Sequence, residues 1–255
     1  MVVEQFLCRS DNIALLLHDK ASKDSIAIDA PDGPALLAAL QKAGRNLTAV
    51  LVTHYHYDHI DGLALLKRET GAKIFGPAAE AAQISPLDIG LQDEQKFTSG
   101  AFTFKIIATP GHTLGEICYY LPQQYRVFTG DCLFSLGCGR IFEGDAAMMY
   151  HSLQKLAALP PQTQIYCGHE YSVDNARFAL TIEPHNPALQ QRAVEIRALR
   201  AAGKVTLPAI LSRELAANPF LRCDSTEIRT NLACAAGETN TQVFAKLRQL
   251  KDRFR

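Results

Sequence analysis

Four potential metal ligands lie within six residues of this chain, in the segment His54-Tyr55-His56-Tyr57-Asp58-His59. The segment follows residues 47–53, a short apolar run that predicts a buried strand. A lone histidine is more often structural than a ligand, whereas His, His, Asp and His at this spacing favour a metal site. Imidazole and carboxylate suit zinc, iron or manganese better than calcium or magnesium, which prefer all-oxygen shells.

Three later segments repeat one arrangement, in which a short apolar run is followed by a glycine and a potential ligand. These are residues 106–109 before Gly111-His112, residues 126–129 before Gly130-Asp131, and residues 164–167 before Gly168-His169. A strand end gives a loop a rigid base, and the ends of neighbouring strands can converge on one spot. The repeated arrangement therefore predicts that these loops contribute to the same site.

The potential ligands are too many for one ion, and two ions that share a bridging carboxylate account for all of them. They are His54, His56, Asp58, His59, His112, Asp131 and His169. With neutral imidazoles, two divalent ions and one shared hydroxide, such a centre carries a net charge of about +1. That charge makes hydroxide available near neutral pH and stabilises an anionic tetrahedral intermediate. The sequence therefore predicts hydrolysis of an ester, thioester, amide or phosphoester.

The pattern of elements changes along the chain. Residues 60–70 predict a helix that ends at Gly71, residues 102–106 predict a strand, and residues 117–121 with 126–129 predict a hairpin. Helical spacing follows in residues 188–202, 210–217 and 242–254. We therefore expect an α/β catalytic domain over residues 1–172 and a small helical substrate-binding domain over residues 173–255.

Charge and cysteine content limit the class of protein. The chain has 26 basic and 26 acidic residues, so it has no general basic field for nucleic acid or an anionic membrane. No apolar run approaches the roughly 18 residues of a membrane span, and residues 1–10 lack the pattern of a signal peptide. The seven cysteines include no Cys-x-x-Cys pair. We therefore expect a cytoplasmic monomer with reduced thiols.

The segment Thr53 to His59, followed in order by His112, Asp131 and His169, resembles the metallo-β-lactamase superfamily. The resemblance implies an α/β fold, a four-layer αβ/βα sandwich with the metals at one edge of its two sheets. Because that superfamily spans many reactions, it indicates the fold better than the substrate.

Other segments resemble the glyoxalase II family, the hydroxyacylglutathione hydrolases, nearly from end to end. They are residues 109–115, 129–134, 137–144 and 168–171, with 218–222, 237–239 and 251–254 near the C terminus. The resemblance implies cleavage of the small-molecule thioester S-D-lactoylglutathione to D-lactate and glutathione, the second step of methylglyoxal detoxification. It implies that a hydroxide shared by the two metals attacks the thioester carbonyl and that glutathione thiolate leaves.

The same resemblance implies roles for the metal ligands. The first ion is implied to bind His54, His56 and His112, and the second to bind Asp58, His59 and His169, with Asp131 bridging. Asp58 and Asp131 are the implied catalytic residues, and the expected metal is zinc, with iron or manganese as alternatives. Asp29 matches an early strand-end aspartate of the superfamily, which is expected to accept a hydrogen bond from a ligand histidine.

The resemblance also implies substrate contacts. Arg140, Arg248 and Lys251 match positions that bind the glutathione carboxylates. Tyr171 matches a tyrosine that contacts the glutathione backbone. Without the resemblance, the spacing of Arg248 and Lys251 would favour two solvent-exposed residues on one face of a helix. Phe142 stands where many members have tyrosine, so one hydroxyl contact is missing. Asp61 stands where a glycine is usual, and we expect it to cap the following helix.

Two alternatives stay open. One is another enzyme of this fold: a persulfide dioxygenase, which needs a single iron in a 2-His-1-carboxylate site, a lactonase, or a β-lactamase, which is normally exported. The other is a binding protein on a retired enzyme scaffold, which is expected to have lost ligands. The complete set of seven ligands favours the thioester hydrolase.

Overall fold

The computed structural model describes residues 1–254, and these form two compact units made of interleaved segments. Unit 1 contains Met1–Ala108, Gly115–Gly130 and Gly168–Glu170, and unit 2 contains Thr109–Leu114, Asp131–Cys167 and the chain from Tyr171 onward. The predicted division at residue 172 stays a prediction. Arg255, the last residue of the predicted helical domain, lies outside the described residues.

Unit 1 opens with a sheet whose strands lie in the order β1-β2-β3-β4-β5-β6. The strands are β1 (Val2–Cys8), β2 (Asn12–His18), β3 (Asp24–Ile28), β4 (Asn46–Leu51), β5 (Lys73–Pro77) and β6 (Ile89–Leu91). β1 to β3 pair antiparallel, whereas β3 to β6 pair parallel. The connecting helices are α1 (Gly33–Ala43), α2 (Tyr57–Ile60) and α3 (Leu63–Thr70).

The parallel strands β3, β4 and β5 are mostly buried, because crossover helices cover a parallel sheet. Leu36 of α1 and Leu66 of α3 join Val50 and Ile74 of the sheet in one apolar core, each with no solvent exposure. Predicted strand 47–53 corresponds to β4, and Gly71 ends α3 in the left-handed conformation (φ +71°), as predicted.

The predicted helix 60–70 is wrong in its first part, because the helical structure is interrupted between α2 and α3. The Gly62 N–H donates to the Ala30 carbonyl at 2.8 Å instead of to a carbonyl of α2, so the helical hydrogen-bond ladder stops there. The carboxylate of Asp61 does not cap α3, since the N-cap is Gly62 and makes no side-chain hydrogen bond. Asp61 instead pairs with Arg9.

A second group of strands in unit 1 forms an antiparallel meander. Its members are β7 (Lys96–Ser99), β8 (Phe102–Ala108), β9 (Ile117–Leu121) and β10 (Arg126–Phe128). The predicted strand at 102–106 and the predicted hairpin are confirmed, with a 3-10 turn at Pro122–Gln124 joining β9 to β10. Phe104 and Tyr119 are fully buried beneath the meander.

Unit 2 is mainly helical. Its strands are β11 (Leu133–Phe134), β12 (Gly137–Cys138), β13 (Gln164–Tyr166) and β14 (Ala209–Ile210). Its helices are α4 (Ala146–Ala157), α5 (Ser172–Ile182), α6 (Pro187–Ala201), α7 (Leu211–Ala217), α8 (Thr226–Asn231) and α9 (Asn240–Arg253). The predicted strand at 164–167 and the three predicted C-terminal helical segments are confirmed.

Small side chains let the helices of unit 2 approach one another. Ala179 of α5 and Ala193 of α6 are fully buried beside Leu189 and Ile196.

All seven cysteines have free thiols. Within residues 1–254, no helix is long and apolar enough to cross a membrane.

Candidate metal centre

The metal-ligand motif of unit 1 begins where two parallel strands end. Asp29 follows β3 and takes a left-handed conformation (φ +57°), which turns its carboxylate toward the end of β4. That carboxylate accepts hydrogen bonds from the Thr53 backbone N–H at 2.7 Å and the Thr53 hydroxyl at 2.9 Å. The two strand ends are therefore held together immediately before His54.

Two histidines of unit 1 are fixed in one tautomer by carboxylates. The Nδ1–H of His59 donates to Asp29 Oδ2 at 2.8 Å, and the Nδ1–H of His169 donates to Asp11 Oδ1 at 2.8 Å. Each Nε2 must then carry the lone pair. These two Nε2 atoms are 3.2 Å apart, and both rings are buried.

Asp58 completes a three-residue group with these histidines. Its Oδ2 lies 3.3 Å from His169 Nε2 and 3.8 Å from His59 Nε2. The Asn12 amide donates to the same Oδ2 at 3.1 Å and to the Asp58 carbonyl at 3.2 Å.

The chemistry of this group fits a divalent transition metal. Two imidazole lone pairs and an ionised carboxylate face one another, with their ligand atoms all within 4.8 Å. Such an arrangement is repulsive by itself and becomes favourable around a cation, and the Asp29 and Asp11 carboxylates provide the second layer of hydrogen bonds that orients metal-bound histidines. The described residues therefore contain a site suited to one ion in unit 1.

His54 and His56 lie beside this group in the same unit. His54 Nε2 is 3.1 Å from His56 Nδ1, while the other nitrogen of His54 is 3.0 Å from the Thr53 hydroxyl. The backbone between the two histidines is held by Glu80, whose buried carboxylate accepts from the N–H groups of Tyr55 and Gly115, each at 2.9 Å. The motif is thus fixed through its backbone as well as its rings.

Unit 2 brings together His112 and Asp131. His112 Nδ1–H donates to the Arg140 carbonyl at 2.9 Å, so its Nε2 carries the lone pair and lies 3.5 Å from Asp131 Oδ2. The loop before His112 lies against α4, because Gly111 (φ +148°) would place a Cβ only 2.8 Å from the Met149 Cα. His112 therefore has the same fixed tautomer as the two histidines of unit 1.

Three of the predicted substrate contacts are exposed in unit 2. The Phe142 ring is 61% exposed and packs edge-on against His112, with ring centroids 5.3 Å apart. Tyr171 is 37% exposed and contacts Phe134. Arg140 is exposed, and its guanidinium lies 3.9 Å from Asp252. These side chains are accessible to a ligand.

The two predicted cations of α9 differ in their surroundings. Arg248 is buried, donates to the Cys138 carbonyl at 2.8 Å and lies over the Phe220 ring. The Lys251 ammonium donates to the Asp174 carbonyl at 3.2 Å and contacts the rings of Phe178 and Phe254. Burial lowers the pKa of Lys251 to about 8, and the nearby arginines add to this effect.

Three residues that support the centre had no predicted role: Asp11, Asn12 and Glu80. Asp11 and Asn12 carry a weak signal, since Asp-Asn before an apolar strand is typical of a turn. Asn12 forms a β-bridge with His169, which explains how this turn reaches a ligand far along the chain. Glu80 is the last residue of a short 3-10 helix, Ala78–Glu80, and carries no recognisable signal.

The sequence matches two family models that together span most of its length. Residues 21–169 match the metallo-beta-lactamase superfamily, and residues 170–254 match the C-terminus of hydroxyacylglutathione hydrolase. The hydroxyacylglutathione hydrolase of Brucella anthropi is 51% identical over 252 residues, which is 99% of this chain and 96% of that protein. The chain belongs to the hydroxyacylglutathione hydrolase family.

Solved structures agree with this family membership at the level of the fold. The BLEG-1 B3 metallo-beta-lactamase superposes with a TM-score of 0.67 at 24% identity, covering 87% of this chain and all of that one. The structure of TTHA1623 in a di-iron-bound form has a TM-score of 0.55 at 27% identity, covering 66% of this chain and 92% of that one. The predicted metallo-β-lactamase fold with a C-terminal helical region is confirmed.

Proposed function

We propose that this protein is a hydroxyacylglutathione hydrolase that cleaves S-D-lactoylglutathione to D-lactate and glutathione. One observation carries the proposal within this family: His59, His112 and His169 each donate Nδ1–H to an oxygen acceptor. That pattern is the one by which proteins present Nε2 to a metal ion. Relatives with the name hydroxyacylglutathione hydrolase support the choice of a glutathione thioester as substrate.

The proposed centre binds two divalent transition-metal ions. One set of ligands is His54, His56 and His112, the other is Asp58, His59 and His169, and Asp131 bridges them. Zinc is the expected metal, while iron and manganese also suit imidazole and carboxylate. The relative determined in a di-iron-bound form supports a two-ion centre in this fold.

When bound, ions of this kind lower the pKa of water and stabilise negative charge on a carbonyl oxygen, which is the chemistry that thioester hydrolysis needs. The chain's own residues prepare the site for it. The Asn12 amide donates to the Asp58 carboxylate and holds it in place. The acceptors at Nδ1 prevent the ligand rings from rotating, so the site keeps one geometry throughout the reaction.

The proposed substrate contacts are Arg140, Phe142, Tyr171, Arg248 and Lys251. Glutathione carries two carboxylates, and the exposed Arg140 and the partly buried ammonium of Lys251 offer cationic partners for them. Arg248 already donates to a backbone carbonyl of unit 2, so its contribution to binding is in part indirect. Phe142 supplies an apolar surface beside His112 in place of a hydroxyl.

We further propose that the protein acts in the cytoplasm as a monomer on a small molecule, without a nucleic-acid or membrane partner. Free thiols at all seven cysteines suit a compartment in which glutathione keeps thiols reduced. The zero net charge gives no general attraction for polyanions. Size-exclusion chromatography with light scattering tests the monomer.

The activity is tested by following thioester absorbance with S-D-lactoylglutathione and the zinc-replete protein. We expect hydrolysis that a chelator abolishes. Asp58→Asn should lower kcat/KM at least about 100-fold, because even residues that only orient metal ligands are worth 10–100-fold. Asp61→Asn is the matched control, since Asp61 lies three residues away and its carboxylate pairs with Arg9. Its kcat/KM should stay close to that of the unmodified protein.

Two results would contradict the proposal. A zinc-replete protein without thioesterase activity would remove the reaction, and oxygen consumption with an iron-loaded protein and a glutathione persulfide would favour the dioxygenase alternative. Equal losses in Asp58→Asn and Asp61→Asn would remove the assigned role of Asp58.

A further inference from the structure

The segment from Asp131 to Arg140 connects a proposed bridging ligand to a proposed substrate contact, and it folds as the β11–β12 hairpin. Its turn contains Ser135 and Leu136, and Leu136 has a left-handed backbone (φ +57°). A branched residue in that conformation is strained and persists only where its surroundings hold it. The hairpin therefore needs support from other elements.

Glu214 of helix α7 supplies that support at the turn. Its carboxylate accepts from the Ser135 hydroxyl at 2.9 Å and from the Leu136 backbone N–H at 2.8 Å. The side chain is 1% exposed, and the Arg192 guanidinium donates to the same Ser135 hydroxyl at 3.1 Å. Removing a carboxylate and an arginine from water costs free energy, and hydrogen bonds must offset that cost. The bonds from Glu214 to this turn are therefore specific.

Asn218 extends the contact to both arms of the hairpin. Its amide donates to the Gly137 carbonyl at 3.1 Å and to the Phe134 carbonyl at 3.3 Å. The same amide donates to Glu214 at 3.1 Å, which links the two side chains. Directional hydrogen bonds to backbone atoms fix the position of the hairpin more precisely than apolar packing does.

A shift of the hairpin would be transmitted to the proposed ligands. The Gly139 N–H donates to the Cys132 carbonyl at 3.2 Å, and a Cβ on Gly139 would lie 2.0 Å from the Asp131 carbonyl oxygen. The next residue, Arg140, provides the carbonyl that fixes the tautomer of His112. The end of the hairpin is therefore in direct contact with both proposed ligands of unit 2.

We propose that Glu214 is a positioning residue: through the Ser135–Leu136 turn it sets the placement of Asp131 and of the Arg140 carbonyl that orients His112. The C-terminal helices then act on metal binding as well as on substrate binding. The inference rests on the proposed ligand roles of Asp131 and His112.

The test measures zinc affinity by chelator competition, at a temperature well below the melting transition of every variant. Glu214→Ala should weaken the affinity for the more weakly held ion by about 10–100-fold, the range for residues that orient metal ligands. Glu214→Gln keeps an acceptor for the Leu136 N–H, so it should restore most of that loss.

Glu183→Ala is the matched control, because Glu183 is also a buried glutamate of unit 2, 2% exposed. It accepts from the side chains of Arg222, Ser225 and Asn186 rather than from the β11–β12 hairpin. Both alanine variants should lower the melting temperature, whereas Glu183→Ala should leave zinc affinity unchanged. Circular dichroism establishes that each variant is folded.

Unchanged zinc affinity in folded Glu214→Ala, or an equal loss in Glu183→Ala, would overturn the positioning role. If Glu214→Ala does not fold, Ser135→Ala decides, because it removes one of the two hydrogen bonds by which Glu214 holds the turn, and zinc binding must then still weaken measurably. Asp131→Ala is measured alongside. Unchanged affinity in that variant would overturn the proposed ligand set and the positioning role together, whatever the thioesterase activity.

Discussion

At the scale of single residues, the centre is set by the oxygen atoms that accept from Nδ1 of each ligand histidine. Asp29 was predictable, because it follows a strand and the next parallel strand ends beside it. Asp11 was not, since it lies 158 positions before His169 and is brought beside it by backbone pairing that includes the β-bridge of Asn12 with His169. The sequence thus contains the ligands in readable form and their orienting partners only in part.

Lys251 gives the proposed activity a pH dependence. Its lowered pKa, about 8, means that the free protein loses this cation as pH rises through 8, whereas an unperturbed lysine would keep it. Because the proposed substrate is anionic, KM should be lowest below pH 8 and should rise above it, with kcat less affected. Initial rates at several substrate concentrations between about pH 6.5 and pH 9.5 measure both parameters.

Lys251→Arg separates this effect from other titrations, because arginine stays charged over the whole range. We expect the rise in KM to disappear in that variant. Lys246→Arg, on the same helix but paired with Glu238, should keep the original profile. An identical rise in the unmodified protein and in Lys251→Arg would show that Lys251 does not bind the substrate.

At the scale of elements, periodicity predicted strands β4 and β8 and helices α6 and α9, whereas helices α1 and α4 were not predicted. Helix α5 was not predicted, because its buried face includes Ser172 and Asn175 as well as apolar residues, and their hydroxyl and amide groups form tertiary hydrogen bonds. The break between α2 and α3 was also missed, since it depends on a hydrogen bond from the Gly62 N–H to the Ala30 carbonyl. Both failures come from contacts distant in sequence.

Gly111 shows how one such contact controls a ligand loop. Gly111→Ala would place a methyl group 2.8 Å from the backbone of α4, so the loop must move away and take His112 with it. We expect a lower melting temperature together with zinc affinity that is weaker by about tenfold or more, because a displaced ligand loses its geometry. Differential scanning calorimetry and chelator competition measure the two effects.

Gly203→Ala is the control for backbone strain alone. Gly203 also has a positive φ (+68°), but its Cβ would meet nothing within 4 Å. Gly203→Ala should lower the free energy of unfolding by roughly 1 kcal/mol, the usual penalty for an alanine in the left-handed conformation, and should leave zinc affinity unchanged. If Gly203→Ala weakened zinc binding as much as Gly111→Ala, the steric account of the loop would be wrong.

At the scale of the whole molecule, the sequence was most informative where chemistry is local. The ligand types, the strand before each ligand and the family could all be predicted from short segments. The networks of Glu80 and Glu214 could not, since each carboxylate binds backbone N–H groups distant in sequence, and any residue type can supply such groups. Such partners are visible only in the folded chain.

The wide spacing of the proposed ligands, from His54 to His169, also predicts that metal binding and folding are coupled. An unfolded chain cannot present these ligands together, so the ions bind the native state selectively and stabilise it. At a free zinc concentration about 100 times Kd, one ion contributes about 2.7 kcal/mol, which corresponds to roughly 5–10 °C in melting temperature for a chain of this size. Removal by a chelator should therefore lower the melting temperature by at least that amount, and zinc should restore it.

Asp58→Asn, which lacks a proposed ligand, should show a smaller fall in melting temperature on chelation. A metal-replete protein whose melting temperature is the same with and without the chelator would show that its ions do not bind at a site formed by folding.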